Sequence, residues 1–240
     1  MSLLFKELDY RPTAMGVLSL RRRRELTLDI DVYEIKLDDE YLMSSLFTDA
    51  EIALADLGLA ELSGDNLDVV VGGLGLGYTA KAALDNPAVG KLAVIDTLAE
   101  VIEWHQNGLL PLGPQLSGDP RCSLVHGDFF AASLAQTPGM DPARPDTRHD
   151  AILLDIDHSP ANVLHPDHAR LYTEDGLKQL ASHLTPGGIF TLWSTELPDP
   201  AFEAKLATAF ATYRSDVITF KHPVLDREDI NTVYVARKAA

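Results

Sequence analysis

Leu67-Asp-Val-Val-Val-Gly-Gly-Leu-Gly-Leu-Gly-Tyr-Thr-Ala-Lys-Ala-Ala-Leu84 reads as a strand, a tight glycine turn and the start of a helix. Such a unit brings backbone N–H groups close to a nucleotide-like ligand. Gly72, Gly73, Gly75 and Gly77 let the turn take left-handed angles and let a ligand touch the backbone with no Cβ in between. A glycine pattern alone is a weak signal, and an acid farther along the chain strengthens it. Asp96 closes the next apolar run, Lys91-Leu-Ala-Val-Ile-Asp96. It lies about 20 residues beyond the glycines, where an acid can hold a pair of ribose hydroxyls.

Outward from this unit the chain alternates between strand and helix signals. Strands are predicted near 67–72, 91–95, 122–126, 151–155 and 188–193, and helices near 78–85, 97–108, 130–136, 174–184 and 200–212. This alternation implies crossover connections and a doubly wound, mainly parallel Rossmann-like α/β sheet. Asp216–Phe220 and Asn231–Ala236 have no helix between them and are expected to form an antiparallel C-terminal pair at the sheet edge. The Pro- and Gly-rich segments 111–120 and 138–146 read as surface loops.

Ahead of this domain, residues 1–47 read as a small N-terminal β-unit, leaving 48–240 for a linker helix and the Rossmann-like domain. Leu26, Leu28, Ile30 and Val32 alternate with polar residues as in a half-buried strand. Thr48-Asp-Ala-Glu51 has the capping-box pattern, with Thr48 as N-cap of a helix reaching about Leu62.

Composition narrows the function classes. The chain has 240 residues, 46% of them hydrophobic, enough for one ordinary domain with a small appendage. Its formal charge of −16 argues against binding nucleic-acid backbones but would not repel a cationic small molecule. No apolar run suffices for a membrane span, and the N-terminus carries no secretory signal pattern. Cys122 is the single cysteine, which suits a reducing cytoplasm. Arg21–Arg24 is a local basic run, read first as a solvated strand or turn and second as a phosphate or partner contact.

In such sheets ligands bind beyond the carboxyl ends of the strands, at the switch point. The residues there are the glycine loop, Asp96, Asp128 with Phe129, Asp155 with Asp157 and His158, and Trp193. Asp128 and Phe129 are candidates for an adenine. Asp155 should emerge at the cleft rim, able to hold an amine or accept its proton. His158 could act as a neutral base. Asp155, Asp157, His158, His165 and His168 also suit a metal by ligand type, but their spacing matches no zinc signature, and no metal is expected.

Gly72-Gly-Leu-Gly-Leu-Gly77, Asp96 with Val101-Ile102, His126-Gly-Asp-Phe129, Leu154-Asp155-Ile-Asp157 and Leu184-Thr-Pro-Gly-Gly188 resemble the ordered motifs of class I S-adenosylmethionine-dependent transferases. More narrowly, the chain resembles the spermidine synthase (polyamine aminopropyltransferase) family. That family also carries a small N-terminal β-unit and a helix ahead of its nucleotide domain. The resemblance implies that Gly73, Gly75 and Gly77 lie beneath the methionine-derived part of the cosubstrate. It places Asp96 on the ribose, Asp128 beside the adenine, and Asp155 on the attacking amine. It further implies a homodimer through the N-terminal region, and aminopropyl transfer from decarboxylated S-adenosylmethionine to a small-molecule amine such as putrescine.

Three departures stand out. Leu74-Gly75-Leu76 lacks the family's loop acid, Asp49-Ala50 replaces a Tyr-His pair before Glu51, and the second acid of the family's Asp-x-x-Asp-Pro segment falls near Asp157 or His158. The acid-free loop leaves intact S-adenosylmethionine, and hence a methyltransferase, as an alternative. A non-catalytic nucleoside-binding protein that assembles through its N-terminal unit is a third.

Overall fold

The computed structural model describes residues 4–240, so Met1–Leu3 of the N-terminal unit lie outside the described residues. Two sheets organise the chain. The first is an antiparallel meander of β1 (Phe5–Thr13), β2 (Gly16–Glu25), β3 (Ile30–Leu37) and β4 (Glu40–Ser44). α1 (Asp49–Leu59) then leads into the second sheet.

That sheet contains β5 (Leu67–Gly72), β6 (Val89–Asp96), β7 (Cys122–His126), β8 (His149–Leu154), β9 (Leu184–Ser194), β10 (Thr212–Lys221) and β11 (Glu228–Arg237), in the spatial order β10-β11-β9-β8-β5-β6-β7. β7, β6, β5, β8 and β9 run parallel, whereas β11 pairs antiparallel with both β9 and β10. The expected antiparallel C-terminal pair is therefore present at the edge. α2 (Tyr78–Asp85), α3 (Ala99–Gln106), α5 (Phe129–Ser133), α6 (Glu174–Ser182) and α7 (Pro200–Ala209) fill the crossovers, with a short α4 (Gly113–Ser117) after α3.

Parallel strands covered on both faces read as continuous apolar runs rather than as alternation. All six residues of β5 are accordingly buried. Val69 and Val71 pack toward the N-terminal sheet with Leu18, Leu20 and Leu54, while Val70 packs on the opposite face with Phe190 and Phe202. From β5 the chain moves outward to β6 and β7, then returns to the other side of β5 for β8. The crevice between β5 and β8 is thus the topological switch point.

The two sheets are held together by specific bonds. Trp104 Nε1 donates to Asp9 at 2.6 Å, and Arg11 donates to Glu103 at 2.5 Å. Within the N-terminal sheet the basic run lies on β2 and is neutralised locally. Arg21 and Arg23 both pair with Glu34, Arg22 pairs with Asp31, and Arg24 pairs with Asp29 and Asp31. No arginine of this run is left over for an external phosphate.

Four local expectations are corrected. The strand expected across 26–32 is instead the β2–β3 turn, residues 26–29, followed by the start of β3. Asp29 takes a positive φ of 53° there, which a short polar side chain tolerates. The capping box is not formed, because Thr48 makes no side-chain capping bond and the Glu51 side chain is buried. α1 also ends at Leu59 rather than near Leu62. Neither 111–120 nor 138–146 is a free surface loop: the first holds α4 with Leu116 buried, and in the second Met140 and Asp141 are buried and Arg144 bridges Asp141 and Asp68.

Candidate active site

A cavity of about 450 Å³ opens over the switch point. Gly73, Gly75, Asp96, Asp128 and Asp155 line it from the large sheet, and Met15, Ile35, Leu37, Leu42 and Met43 line it from the small one. The N-terminal sheet is therefore an apolar wall of the site.

The glycine loop is shaped by close approach. Gly73 sits at φ 92°, and a Cβ on it would lie 2.2 Å from the Asp155 carbonyl oxygen. Its neighbour Gly72 is covered by the Phe129 ring, which would lie 2.6 Å from an added Cβ. Most of the loop N–H groups are engaged internally. Gly73 donates to the Ile95 carbonyl, Leu74 to Asp96, Leu76 to the Met43 thioether, and Gly77 to the Leu74 carbonyl. This differs from a loop that aims its N–H groups at a ligand. A phosphate cradle needs free donors, so the loop suits a phosphate-free adenosyl compound better than a dinucleotide.

Asp96 ends β6 and lines the cavity while accepting the Leu74 and Leu98 amides, each at 2.8 Å. Burial raises its pKa against those hydrogen bonds. Asp128 is exposed at the cavity and caps α5 by accepting the Ala131 amide at 3.0 Å. Phe129 is only 2% exposed, packed over Gly72 and edge-on against Phe130 in the core cluster.

Asp155 emerges just past β8, and its carboxylate accepts the Thr79 hydroxyl at 2.6 Å. The same hydroxyl oxygen lies 3.3 Å from the Glu51 carbonyl, which brings the first turn of α1 to this point. Glu51 lines the cavity and makes no ion pair among the described residues. Burial, and then the charge of Asp155, push its carboxyl up to about 8. Burial pushes Asp155 up to about 6, against the Thr79 hydrogen bond. Two carboxyls with separated affinities for protons suit a site that holds an amine and takes its proton.

Asp157 and His158 behave differently from Asp155. The Asp157 carboxylate is turned away from the cavity and is 1% exposed. It accepts from the Leu164 amide, His168 Nδ1 and the Tyr172 hydroxyl, each at 2.8 Å, and so anchors the segment 164–172. His168 in turn stacks on Phe130, with ring centroids 3.6 Å apart. His158 lines the cavity, but its Nε2 lies 2.7 Å from Glu40, tying the small sheet to the end of β8. Among the described residues, no group of three or more His, Cys, Asp or Glu side chains is placed to hold a metal ion.

Sequence reasoning missed Glu51, Thr79 and Met43 as site residues. One signal for Glu51 was available. It stands in a stripe with Leu54, Ala55, Gly58 and Leu59, all buried, where an acid needs a reason to be. Trp193 lines the cavity with its indole N–H buried and unpartnered in the protein, a donor that an occupant of the site can satisfy.

The raised carboxyls have a consequence for stability. Both folded values lie above those of an unfolded chain, so the folded state binds more protons. The stability they contribute is complete below the unfolded values and is lost as pH rises through about 6 and then about 8. The Asp155 share is lost by about pH 6, and we expect a further fall of ~2 kcal/mol between about pH 6 and pH 8 from Glu51, the raw shift being discounted for water in the open cavity. Glu51→Gln should flatten this slope in thermal melts at fixed ionic strength. An unchanged slope would remove Glu51 as its source.

No family model matches the chain. A polyamine aminopropyltransferase 2 of Pseudomonas aeruginosa is 26% identical over 166 residues, covering 64% of this chain and 43% of that protein. The match thus spans less than half of the relative's length. Among solved structures, the spermidine synthase of Thermotoga maritima superposes with a TM-score of 0.69 at 16% identity, over 98% of this chain and 73% of that one. A spermidine synthase in complex with the transition-state analogue AdoDATO gives 0.72 at 17% identity, over 98% and 74%. A probable spermidine synthase of Corynebacterium glutamicum gives 0.64 at 13%, over 99% and 81%. No helix among the described residues is long and apolar enough to cross a membrane. In sequence and in fold the chain resembles the spermidine synthase family.

Proposed function

We propose that this chain is an aminopropyltransferase, moving the aminopropyl group of decarboxylated S-adenosylmethionine to an amine acceptor. The observation that carries this reading is the carboxyl pair Asp155 and Glu51, set in one cavity with the apolar wall of Ile35, Leu37, Leu42 and Met43. Asp96 holds the ribose, Asp128 lies beside the adenine, and the bare backbone of the glycine loop lies under the sulfonium side chain. Thr79 fixes the Asp155 carboxylate with one oxygen toward the acceptor. Asp155 and Glu51 draw the acceptor ammonium in, and Asp155 takes a proton from it. The freed nitrogen pair forms a bond to the aminopropyl carbon, the carbon–sulfur bond breaks, and its electrons leave on sulfur as neutral methylthioadenosine. Alignment of the two reactants in one cavity supplies much of the rate. Asp157 acts in this scheme as an anchor for the loop after β8 rather than as a second base.

Where the cosubstrate's tail reaches the N-terminal sheet, the lining is Ile35, Leu37, Leu42, Met43 and Glu51, and the one arginine of the cavity, Arg170, belongs to the segment after β8 instead. A carboxylate beside Glu51 and Asp155 is disfavoured, and this selects the decarboxylated form. The acid-free loop is what keeps methyl transfer from intact S-adenosylmethionine as the second reading. Calorimetric titration with both forms separates them. We expect at least about tenfold tighter binding of the decarboxylated form, equal to about 1.4 kcal/mol. The reverse preference would replace aminopropyl transfer by methyl transfer. A reducing cytosol belongs to the same proposal, since burial pushes the Cys122 thiol up to about 12 and leaves it unreactive. So does a dimer through the N-terminal sheet, whose edge strand exposes Phe5 and Tyr10.

A further inference from the structure

The catalytic cavity does not end at Glu51. Leu42, Met43, Glu51 and Trp193 line it on one side, and on the other they line a more open groove of about 730 Å³. This groove runs between β4 and the turn end of the β10–β11 hairpin. Its walls carry Tyr41, Phe47 and Phe220, and its outer end carries Glu228. We propose, resting on the aminopropyl-transfer reading, that the acceptor is an extended polycationic amine. Its reacting nitrogen lies at Asp155 and Glu51, and its further charged nitrogens lie along this groove.

Charge distribution distinguishes such an acceptor from a short diamine. Inside the cavity, the acids on the acceptor side are Asp155 and Glu51, which line it together closely enough for the charge of Asp155 to act on the Glu51 carboxyl. Both therefore serve the reacting nitrogen. The adjoining wall of Ile35, Leu37 and Leu42 offers a second ammonium no counter-charge, and Asp157 is turned away. The groove offers what the cavity lacks. Its cations are already matched, Arg23 by Glu34 at 2.7 Å and Arg227 by Asp229 at 3.0 Å. Glu228 makes no ion pair among the described residues, which leaves a free carboxylate at the far end. The Phe47 and Phe220 rings between the Glu51 end and this carboxylate suit alkyl spacers and cationic nitrogens together, because ring faces attract ammonium groups.

The test compares a short alkyl diamine with a linear triamine and a linear tetramine as acceptors, in the full-length protein with decarboxylated S-adenosylmethionine. We expect kcat/KM for the triamine to exceed that for the diamine by about tenfold or more. Glu228→Gln and Phe220→Ala should each cut that preference by about threefold to tenfold, consistent with one partly exposed charge or cation–ring contact apiece. A diamine used as well as the triamine, or variants that leave the preference unchanged, would overturn the proposal while leaving aminopropyl transfer intact. If no acceptor is turned over, the aminopropyl reading itself fails. Calorimetric titration of the triamine then judges the groove alone: binding weakened by Glu228→Gln upholds it, and absent or unaffected binding ends it.

Discussion

Asp155→Asn should lose about a hundredfold to ten-thousandfold in kcat, the range for removing a general base, while keeping donor affinity within about threefold. The asparagine oxygen can still accept the Thr79 hydroxyl, so the side chain stays in place and only its ability to take a proton is lost. Asp155 also bonds through its backbone, its N–H donating to the Gly72 carbonyl, and this contact is unchanged by the substitution. In the wild type, kcat/KM should rise with pH up to about 6, where Asp155 becomes ionised. That apparent value belongs to the Asp155–Glu51 pair as a unit. The acid limb should disappear from whatever activity Asp155→Asn retains. Donor binding lost with the fold intact would show that Asp155 holds the donor rather than handling the proton. Undiminished turnover would remove it from the chemistry.

The large sheet was legible in the sequence because its signals are local. Buried parallel strands such as Val69–Val71 and Ile152–Leu154 are continuous apolar runs, each succeeded by a helical segment. The same local logic placed Gly73, Asp96 and Asp155 at strand ends. It failed where a residue's partner lies far away in sequence. Glu51 fits a capping box when only Thr48 is considered, yet α1 packs so that this side chain enters the cavity beside Asp155. Asp157 sits two residues from Asp155, but beyond β8 the chain leaves the period of the strand, and nothing local says which way each acid points. His168 and Tyr172 decide it by drawing Asp157 inward. The β2–β3 turn was hidden because Leu26-Thr-Leu-Asp29 alternates like a strand and contains no glycine or proline. The loop amides looked available because Met43 and Asp96, their acceptors, lie in other elements.

Gly73→Ala should be the most disruptive single-methyl change in the site. Two costs combine at this position, and a second glycine separates them. Gly64 also has a positive φ, at 108°, but a Cβ there meets nothing within 4 Å. Gly64→Ala should therefore cost only backbone strain, about 1–2 kcal/mol. Gly73→Ala carries similar strain at φ 92° and also drives a Cβ to 2.2 Å from the Asp155 carbonyl oxygen, backbone atoms that cannot swing aside like a side-chain end. We expect a total loss of ~3–5 kcal/mol in urea unfolding, in the range reserved for overpacking and special backbone positions. The clash should reach the chemistry as well. If the protein relieves it by moving the Asp155 backbone, the carboxylate shifts with it, and a displacement of about 1 Å can lower kcat about a hundredfold. Stability equal to that of Gly64→Ala, with normal turnover, would mean that the loop yields freely. The close contact of β5 and β8 at this glycine would then not be what fixes Asp155.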